Sequence, residues 1–174
     1  THGISSAASD VYERHRDIVL WGPRLDDEAL EEYDDGSGDL IEGFEQARRS
    51  SAREASSVTA HLAVNGSQTL QFTTARQGTE IGAKQTIEAV SDHPRDQYID
   101  VEPYHAGLGK RKRRAVENQL KGGGLDAVIS TNALELGIDI GSVDATVTDS
   151  YPGTKQSFWQ QIGRAGRGTS DALS

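Results

Sequence analysis

Two arginines, Arg164 and Arg167, stand three residues apart in a glycine-rich stretch near the end of the chain. At that spacing they share one face of a helix end, and Gly163 and Gly166 remove side chains that would block close approach of a ligand. Planar guanidinium groups suit the charge that spreads over a phosphoryl group during its transfer. Gln160, four residues before Arg164, falls on the same face and could orient a water molecule. The structural alternative is a basic helix end that touches only solvent or a carboxylate.

A second set of residues follows the apolar run at 127–129 and contains Thr131, Gly137 and Asp139. A threonine at a strand end, together with the backbone N–H groups that follow it, can hold a phosphate. Asp139 offers a carboxylate to a ribose hydroxyl or to an arginine, and Gly137 permits an unusual backbone angle. The structural alternative is a strand-to-helix loop whose threonine caps the helix. Taken together, the two sets favour phosphate chemistry over both structural alternatives.

The segments that must position these residues alternate between strand and helix patterns. We predict strands over 68–74, 98–104, 125–131 and 145–148, a short helical turn over 133–136 and a closing helix over 154–165. Between them, Ile81, Ala83, Ile87 and Val90 mark one helix face, and Val116 with Leu120 marks another. This alternation implies an α/β fold with a mostly parallel sheet and helices on both faces. Ligands of such sheets bind at the carboxyl ends of the strands, so we expect the candidate residues in the loops that connect each strand to the following helix.

The first quarter of the chain has a different composition. Residues 1–43 are predicted to hold an opening strand at 18–21, ended by Gly22 and Pro23, and then an acidic, glycine-rich linker over 26–43. A helix is predicted to start at Phe44 and to run to Asn65 and Gly66, so residues 44–174 form the α/β domain.

The acidic residues are concentrated in the first third of the chain. Residues 1–60 contain 14 acidic and 6 basic side chains, and the whole chain has a formal net charge of −9. Only 5 of the 18 cations are lysine, whereas 15 of the 27 acids are aspartate. An Asp-rich, Lys-poor surface is typical of proteins that work in concentrated salt, where charge repulsion is screened. An acidic linker in an ordinary protein is the simpler alternative.

Other classes of protein are disfavoured by what the sequence lacks. There is no cysteine, so disulfide frameworks and thiolate metal sites are excluded, and we assign no metal ligands. No apolar stretch approaches the roughly 18 residues of a membrane span, and no basic-then-apolar leader opens the chain. We therefore expect a soluble cytoplasmic protein with no membrane partner.

Four ordered stretches resemble motifs of superfamily 2 helicases, in their second RecA-like (helicase C-terminal) domain. The stretch at 69–76 resembles motif IV and that at 104–108 the following strand-end motif, while 130–141 resembles motif V and 160–168 motif VI. The amino-acid sequences of motif V, of Tyr151–Thr154 and of Ser157–Gln161 are most similar to those of the YprA-like DEAD/DEAH-box DNA helicases. The segment at 18–23 also resembles the opening strand of that group.

This resemblance implies ATP-driven 3′–5′ translocation or DNA unwinding, with ATP and Mg²⁺ held mainly by a first RecA-like domain. It implies that Arg167 and Arg164 contact the γ-phosphate with support from Gln160, and that Gly163 and Gly166 also lie at the nucleotide. It implies that Asp139 and Gly137 couple the nucleotide to the nucleic acid. The residues implied along the phosphate backbone of a single strand or a 3′-tailed duplex are Thr74, Arg76, His105, Gly107, Arg113 and Thr131. Arg76 could instead be a surface cation that caps its own helix.

Several features depart from the family pattern. No G-x-x-x-x-G-K-[ST] loop is present, because Gly109 and Lys110 are followed by Arg111. The sequence Asp27–Leu30 begins like a DEAD box but ends in leucine and lies in an acidic loop, so we do not assign it as one. We therefore expect the first motor domain to be missing and the isolated chain to be inactive. Five cations at 110–114 oppose the dipole of the helix that they begin, which fits either phosphate binding or a solvated face. Few residues follow Gly168, so whether the chain contains the last strand of the sheet stays open.

Two other functions stay open at this point. One is a non-enzymatic nucleic-acid-binding remnant of a helicase, and the other is an unrelated α/β phosphate-binding enzyme. A P-loop encoded directly upstream would distinguish the helicase from both.

Overall fold

A computed structural model describes residues 16–19, 50–91, 99–135, 140–141, 143–166 and 172–173 of the 174-residue chain. The strands are β1 (Arg16–Asp17), β2 (Thr69–Phe72), β3 (Val101–Tyr104), β4 (Ala127–Ser130), β5 (Ala145–Thr148) and β6 (Ala172–Leu173). The helices are α1 (Ser51–Val64), α2 (Arg76–Glu88), α3 (Lys110–Lys121) and α4 (Lys155–Ile162), with a 3₁₀ turn at Asn132–Leu134.

The strands form one parallel sheet in the order β1-β6-β5-β2-β4-β3. β2 is paired along its whole length with β4 on one side and β5 on the other, so it forms the centre of the sheet. The predicted α/β fold with a parallel sheet and crossover helices is confirmed. The sequence left open whether the chain contains the last strand of the sheet. The structure has a short strand, β6, beside β5, and the two are joined by the single pair Ala145 and Leu173.

The two faces of the central strand pack against different helices. Leu70 and Phe72 belong to an apolar core with Val116 and Leu120 of α3. On the other face, Gln71 is buried and its amide oxygen accepts a 2.9 Å hydrogen bond from Thr59 of α1. Because side chains alternate across a strand, β2 fixes helices on both sides of the sheet.

The predicted packing face of α2 is confirmed for Ala83 and Val90, which are buried, and wrong for Ile81 and Ile87. Ile81 and Ile87 are 46% and 49% exposed, and the buried residues are small or hydroxylated: Thr79, Gly82, Ala83 and Thr86. A Cβ atom on Gly82 would lie 2.9 Å from Cγ2 of Ile129 in β4, closer than van der Waals contact allows. The helix therefore approaches the sheet through a narrow, weakly apolar face that a search for hydrophobic periodicity detects only in part.

Element boundaries near the start of the domain also differ from the predictions. Ser50 caps α1, because its hydroxyl accepts a hydrogen bond from the backbone N–H of Arg53, and the predicted part of this helix at 44–49 lies outside the described residues. The predicted opening strand at 18–21 is displaced: the strand is Arg16–Asp17, and Ile18 follows it and is exposed. The predicted linker at 26–43 is likewise outside the described residues. Within the described ranges, no helix is both long and apolar enough to cross a membrane.

Candidate functional site

Three of the predicted nucleic-acid residues lie at one edge of the sheet. Thr74, His105 and Thr131 follow the carboxyl ends of β2, β3 and β4, which are adjacent strands. The loops are tied together by backbone hydrogen bonds from Thr73 N–H to the carbonyl of Ser130 and from Thr131 N–H to that of Tyr104, at 2.8 and 3.2 Å. The fold therefore brings together motifs that are more than fifty residues apart in sequence, as the parallel-sheet argument predicted.

Arg76, His105 and Gly107 form a compact group at this edge. Nδ1 of His105 accepts a 3.1 Å hydrogen bond from the Gly107 N–H, and its Nε2 lies 3.5 Å from a carboxylate oxygen of Glu80. A Cβ atom on Gly107 would lie 3.0 Å from His105 Nδ1 and 3.4 Å from Nη1 of Arg76, so a side chain here would crowd both. Arg76 is exposed, and within the described residues no carboxylate forms an ion pair with it. Its charge is therefore available to an anion.

Thr131 is used locally. It is 7% exposed, and its hydroxyl accepts a 3.4 Å hydrogen bond from the N–H of Ala133, which caps the 3₁₀ turn. The capping alternative raised from the sequence is thus present in the structure. Thr74, by contrast, is exposed at the end of β2.

Arg113 lies beside the buried end of β3. The hydroxyl of Tyr104 donates a 2.6 Å hydrogen bond to Glu117, one turn further along α3. Burial raises the pKa of Tyr104, the carboxylate of Glu117 raises it further, and the Arg113 guanidinium partly opposes both. Arg113 therefore borders the domain core, whereas Lys110, Arg111 and Arg114 of the same helix are exposed.

Motif V and motif VI meet at Glu135. Nη2 of Arg164 donates a 2.9 Å hydrogen bond to the backbone carbonyl of Glu135, and the amide of Gln161 donates a 2.6 Å hydrogen bond to its carboxylate. All three residues are buried; Arg164 is only 5% exposed. The guanidinium that sequence reasoning directed at a phosphate is therefore held, within this domain, against the loop that follows β4.

The two described glycines of motif VI have conformational roles. A Cβ atom on Gly163, which ends α4, would lie 2.7 Å from the carbonyl oxygen of Trp159, and Gly166 has a φ of +65°. Gly166 N–H donates to the carbonyl of Val143 at 3.0 Å, just before β5 begins. Motif VI thus follows a helix and runs beside the start of β5, so the expectation that all candidate residues follow strand ends is wrong for this motif.

Part of the predicted site cannot be placed. Arg167, Gly137 and Asp139 lie outside the described residues. Gln160 is described and half-buried on α4. Glu135 and Gln161 were missed as site residues although both belong to the quoted motifs. The available signal was weak: Glu135 is one of two carboxylates in the otherwise apolar stretch 133–140, and Gln161 is one of two adjacent glutamines.

Aromatic side chains are exposed on the segment between β5 and motif VI. Tyr151 and Trp159 are 60% and 61% exposed, and Phe158 lies between them, with ring centroids 6.3 Å from Tyr151 and 5.8 Å from Trp159. The Phe158 and Trp159 rings meet edge to face. Large aromatic groups left in water beside a buried arginine motif mark a surface suited to contact with another molecule or domain.

Comparison with known proteins gives a consistent result. Residues 54–169 match the family described as helicase conserved C-terminal domain. The chain is 37% identical over 158 residues to the ATP-dependent helicase HRQ1 of Saccharomyces cerevisiae, covering 90% of this chain and 13% of that protein. It is also 37% identical over 126 residues to the uncharacterised ATP-dependent helicase YprA of Bacillus subtilis, covering 72% of this chain and 17% of that protein.

Among solved structures, the DUF1998 helicase MrfA bound to DNA and AMPPNP is similar, with a TM-score of 0.66 and 36% identity. The match covers 74% of this chain and 18% of that one. The chain therefore spans less than a fifth of the length of each of these proteins.

Proposed function

Because this chain belongs to the helicase conserved C-terminal domain family, we propose that it is the second motor domain of an ATP-dependent DNA helicase. In this proposal the ATP site is shared with a first RecA-like domain that carries the P-loop. The present domain supplies arginine side chains to the nucleotide and contacts the phosphate backbone of DNA. Single-stranded DNA or a 3′-tailed duplex is the proposed substrate.

The observation that carries the proposal is the buried contact between motif V and motif VI. The Arg164 guanidinium and the Gln161 amide both bond to Glu135, so the loop that follows β4 is joined to the arginine-bearing helix end by two buried hydrogen bonds. A motor needs such a link, because nucleotide contacts must be coupled to nucleic-acid contacts for hydrolysis to drive movement. The name of the MrfA structure, bound to both DNA and AMPPNP, supports the same pair of ligands.

The two arginines are assigned different roles. Arg164 is buried and engaged with a carbonyl of its own domain, so we propose that it positions motif VI. Arg167 is then the residue proposed to reach the γ-phosphate, where a planar guanidinium stabilises the charge of the transition state. Gln160, half-buried on α4, is proposed to support it.

The residues of this domain fit a nucleotide only in part. No P-loop is present in the sequence, and among the described residues no group of three or more acidic or histidine side chains could hold a metal ion. We therefore propose that ATP and Mg²⁺ are bound mainly by the first domain. When bound, the nucleotide supplies the phosphoryl group, and the residues of this chain orient motif VI towards it.

The nucleic-acid contact is proposed at the carboxyl edge of β2, β3 and β4. Arg76 provides an exposed cation without an acidic partner among the described residues, and Thr74 provides an exposed hydroxyl next to it. His105 and Gly107 hold the neighbouring loop close to Arg76. Phosphate contacts of this kind fix the position of a strand without reading its sequence.

Paired measurements on one set of variants test this assignment. In a protein that contains both motor domains, Arg167→Ala should lower kcat for DNA-stimulated ATP hydrolysis by about 10³-fold or more, and Arg167→Lys should recover little. DNA binding without nucleotide should barely change. Arg76→Ala is the matched control and should show the reverse, weaker DNA binding with a smaller effect on kcat at saturating DNA.

Three outcomes would refute parts of the proposal. If Arg167→Ala keeps normal turnover but loses DNA binding, motif VI belongs to the nucleic-acid path. The 174-residue chain alone should hydrolyse no ATP above background, and robust DNA-stimulated turnover by the chain alone would overturn the shared-site model. Absence of turnover even with a P-loop domain present would favour the non-enzymatic remnant.

A further inference from the structure

The first turn of α3 carries a concentration of positive charge that the proposed function does not use. Five of the 18 cations of this chain, which has a net charge of −9, occupy residues 110–114. Lys112 is neutralised, because its Nζ lies 2.7 and 2.8 Å from the two carboxylate oxygens of Glu102 on β3. Arg113 borders the Tyr104 hydroxyl. The other three cations remain to be explained.

Lys110, Arg111 and Arg114 share one exposed face of the helix. At 100° per residue they span an arc of about 100° that lies away from the buried residues Val116 and Leu120. Within the described residues no carboxylate forms an ion pair with any of the three. We call these three residues the α3 basic face.

This arrangement costs the helix stability. The first turn of α3 contains no acidic residue, its N-cap is Gly109 and no side chain caps it. Cations near a helix N-terminus oppose the helix dipole, and like charges three and four residues apart repel each other. A solvated face gains nothing from such a pattern, whereas an anionic ligand would offset both effects.

The position of the helix indicates which anion. α3 begins directly after the loop at 105–108, beside the Arg76 guanidinium, and β3 is the outermost strand on that side of the sheet. α3 packs on the face of the sheet that carries Leu70 and Phe72, whereas α2 packs on the face that carries Gln71 and Ile129. The α3 basic face therefore begins at the same carboxyl edge as Arg76 but lies on the opposite helix layer. A polymer with regularly spaced negative charges matches a surface of this length better than a single ion does.

We propose that the α3 basic face is a second DNA-phosphate-binding surface, which extends the strand path from the carboxyl edge of the sheet onto the helix layer that α3 forms. This inference rests on the proposed function, because it assumes that DNA already lies along Thr74 and Arg76. It assigns phosphate contacts to Lys110, Arg111 and Arg114, residues at which this sequence departs from the family pattern.

The test measures DNA binding by the 174-residue chain as a function of salt. The variants are Lys110→Gln/Arg114→Gln, the control Arg53→Gln/Lys84→Gln, which removes two exposed cations from α1 and α2, and Arg76→Gln. Binding to a fluorescent single-stranded oligonucleotide is followed by anisotropy between 50 and 200 mM KCl, with circular dichroism verifying the fold of each variant. Each lost phosphate contact lowers the slope of log binding constant against log KCl concentration by about 0.7 in magnitude. The slope of the α3 double variant should therefore be about 1.4 smaller, and the variant should bind roughly 10-fold or more weakly at 50 mM KCl.

The results for these variants distinguish failure of the inference from failure of the proposed function. The control double variant should keep the wild-type slope, although the net charge changes equally. If Arg76→Gln weakens binding and the α3 double variant does not, the strand path ends at the sheet edge and the inference is overturned, while the proposed function stands. If the wild-type chain binds no DNA, both are overturned. If a poly-glutamate peptide competes as well as DNA of equal charge, the chain binds polyanions without preference for DNA phosphates and the inference again fails.

Discussion

Replacing Arg164 tests whether motif VI is anchored by the contact seen at Glu135. Arg164→Met keeps most of the aliphatic stem but removes the guanidinium, which leaves the buried carbonyl of Glu135 without its 2.9 Å donor. A hydrogen bond from a charged group contributes about 1.5–3 kcal/mol, and an unsatisfied buried carbonyl costs a similar amount. We expect the free energy of unfolding to fall by about 1.5–3 kcal/mol.

The size of this effect follows from burial. Arg164 is 5% exposed, so solvent screens its contact far less than it would screen a surface pair. For a chain of 174 residues, each kcal/mol corresponds to about 2–4 °C, which predicts a fall in Tm of roughly 3–12 °C.

The assay is urea unfolding of the 174-residue chain followed by circular dichroism. Arg114→Met is the matched control, because it removes one exposed cation and changes the net charge identically. The control should change stability by less than about 0.5 kcal/mol. Equal urea midpoints for the two variants would refute the anchoring role, and the contact of Arg164 with the γ-phosphate that the resemblance implies would then be the better assignment.

Three further predictions concern the fold. If the Asp-rich surface is an adaptation to salt, Tm should rise from low salt to molar KCl because repulsion is screened; a flat or falling Tm contradicts this. The pKa of Tyr104 is raised in the folded state, whereas in the unfolded state the phenol ionises around its ordinary pKa of 10.0. The free energy of unfolding should therefore fall as pH rises past that value. Tyr104→Phe should make that fall shallower, and an unchanged slope would argue against burial of the proton. Gly166→Ala places a side chain at φ +65° and should cost about 1–2 kcal/mol, whereas Gly109→Ala, at φ −58° in open space, should cost much less; equal urea midpoints would contradict this.

The sheet was predictable because its signals are local. The central strands β2, β4 and β5 are rich in apolar and β-branched residues and lie next to glycine or polar turn residues, and the parallel arrangement follows from the helices between them. β1, by contrast, is Arg16–Asp17 and carries no apolar signal, so its position was predicted incorrectly. The gathering of Thr74, His105 and Thr131 at one edge was predictable for the same reason, since parallel strands end on the same side.

The errors arose where packing depends on shape or on distant partners. The buried face of α2 contains Gly82, whose lack of a side chain allows the helix to approach the sheet closely. Hydrophobic spacing correctly included Ala83 and Val90 in that face but wrongly added Ile81 and Ile87. The contact between Glu135 and Gln161 joins residues 26 positions apart and depends on how α4 lies beside the start of β5. No pattern within either segment specifies that relationship.

The double use of Glu135 has a consequence for mutational tolerance. Arg164 bonds to the main chain of Glu135, and Gln161 bonds to its side chain. Every residue type at position 135 retains a carbonyl, so no substitution there deletes the acceptor of Arg164, and only the partnership with Gln161 is exposed to selection. In a library of all single substitutions, position 164 should be intolerant, while position 135 should accept glutamine, whose amide oxygen can replace the carboxylate. Related sequences should therefore show covariation between positions 135 and 161, and none between positions 135 and 164, although both contacts join the same two motifs.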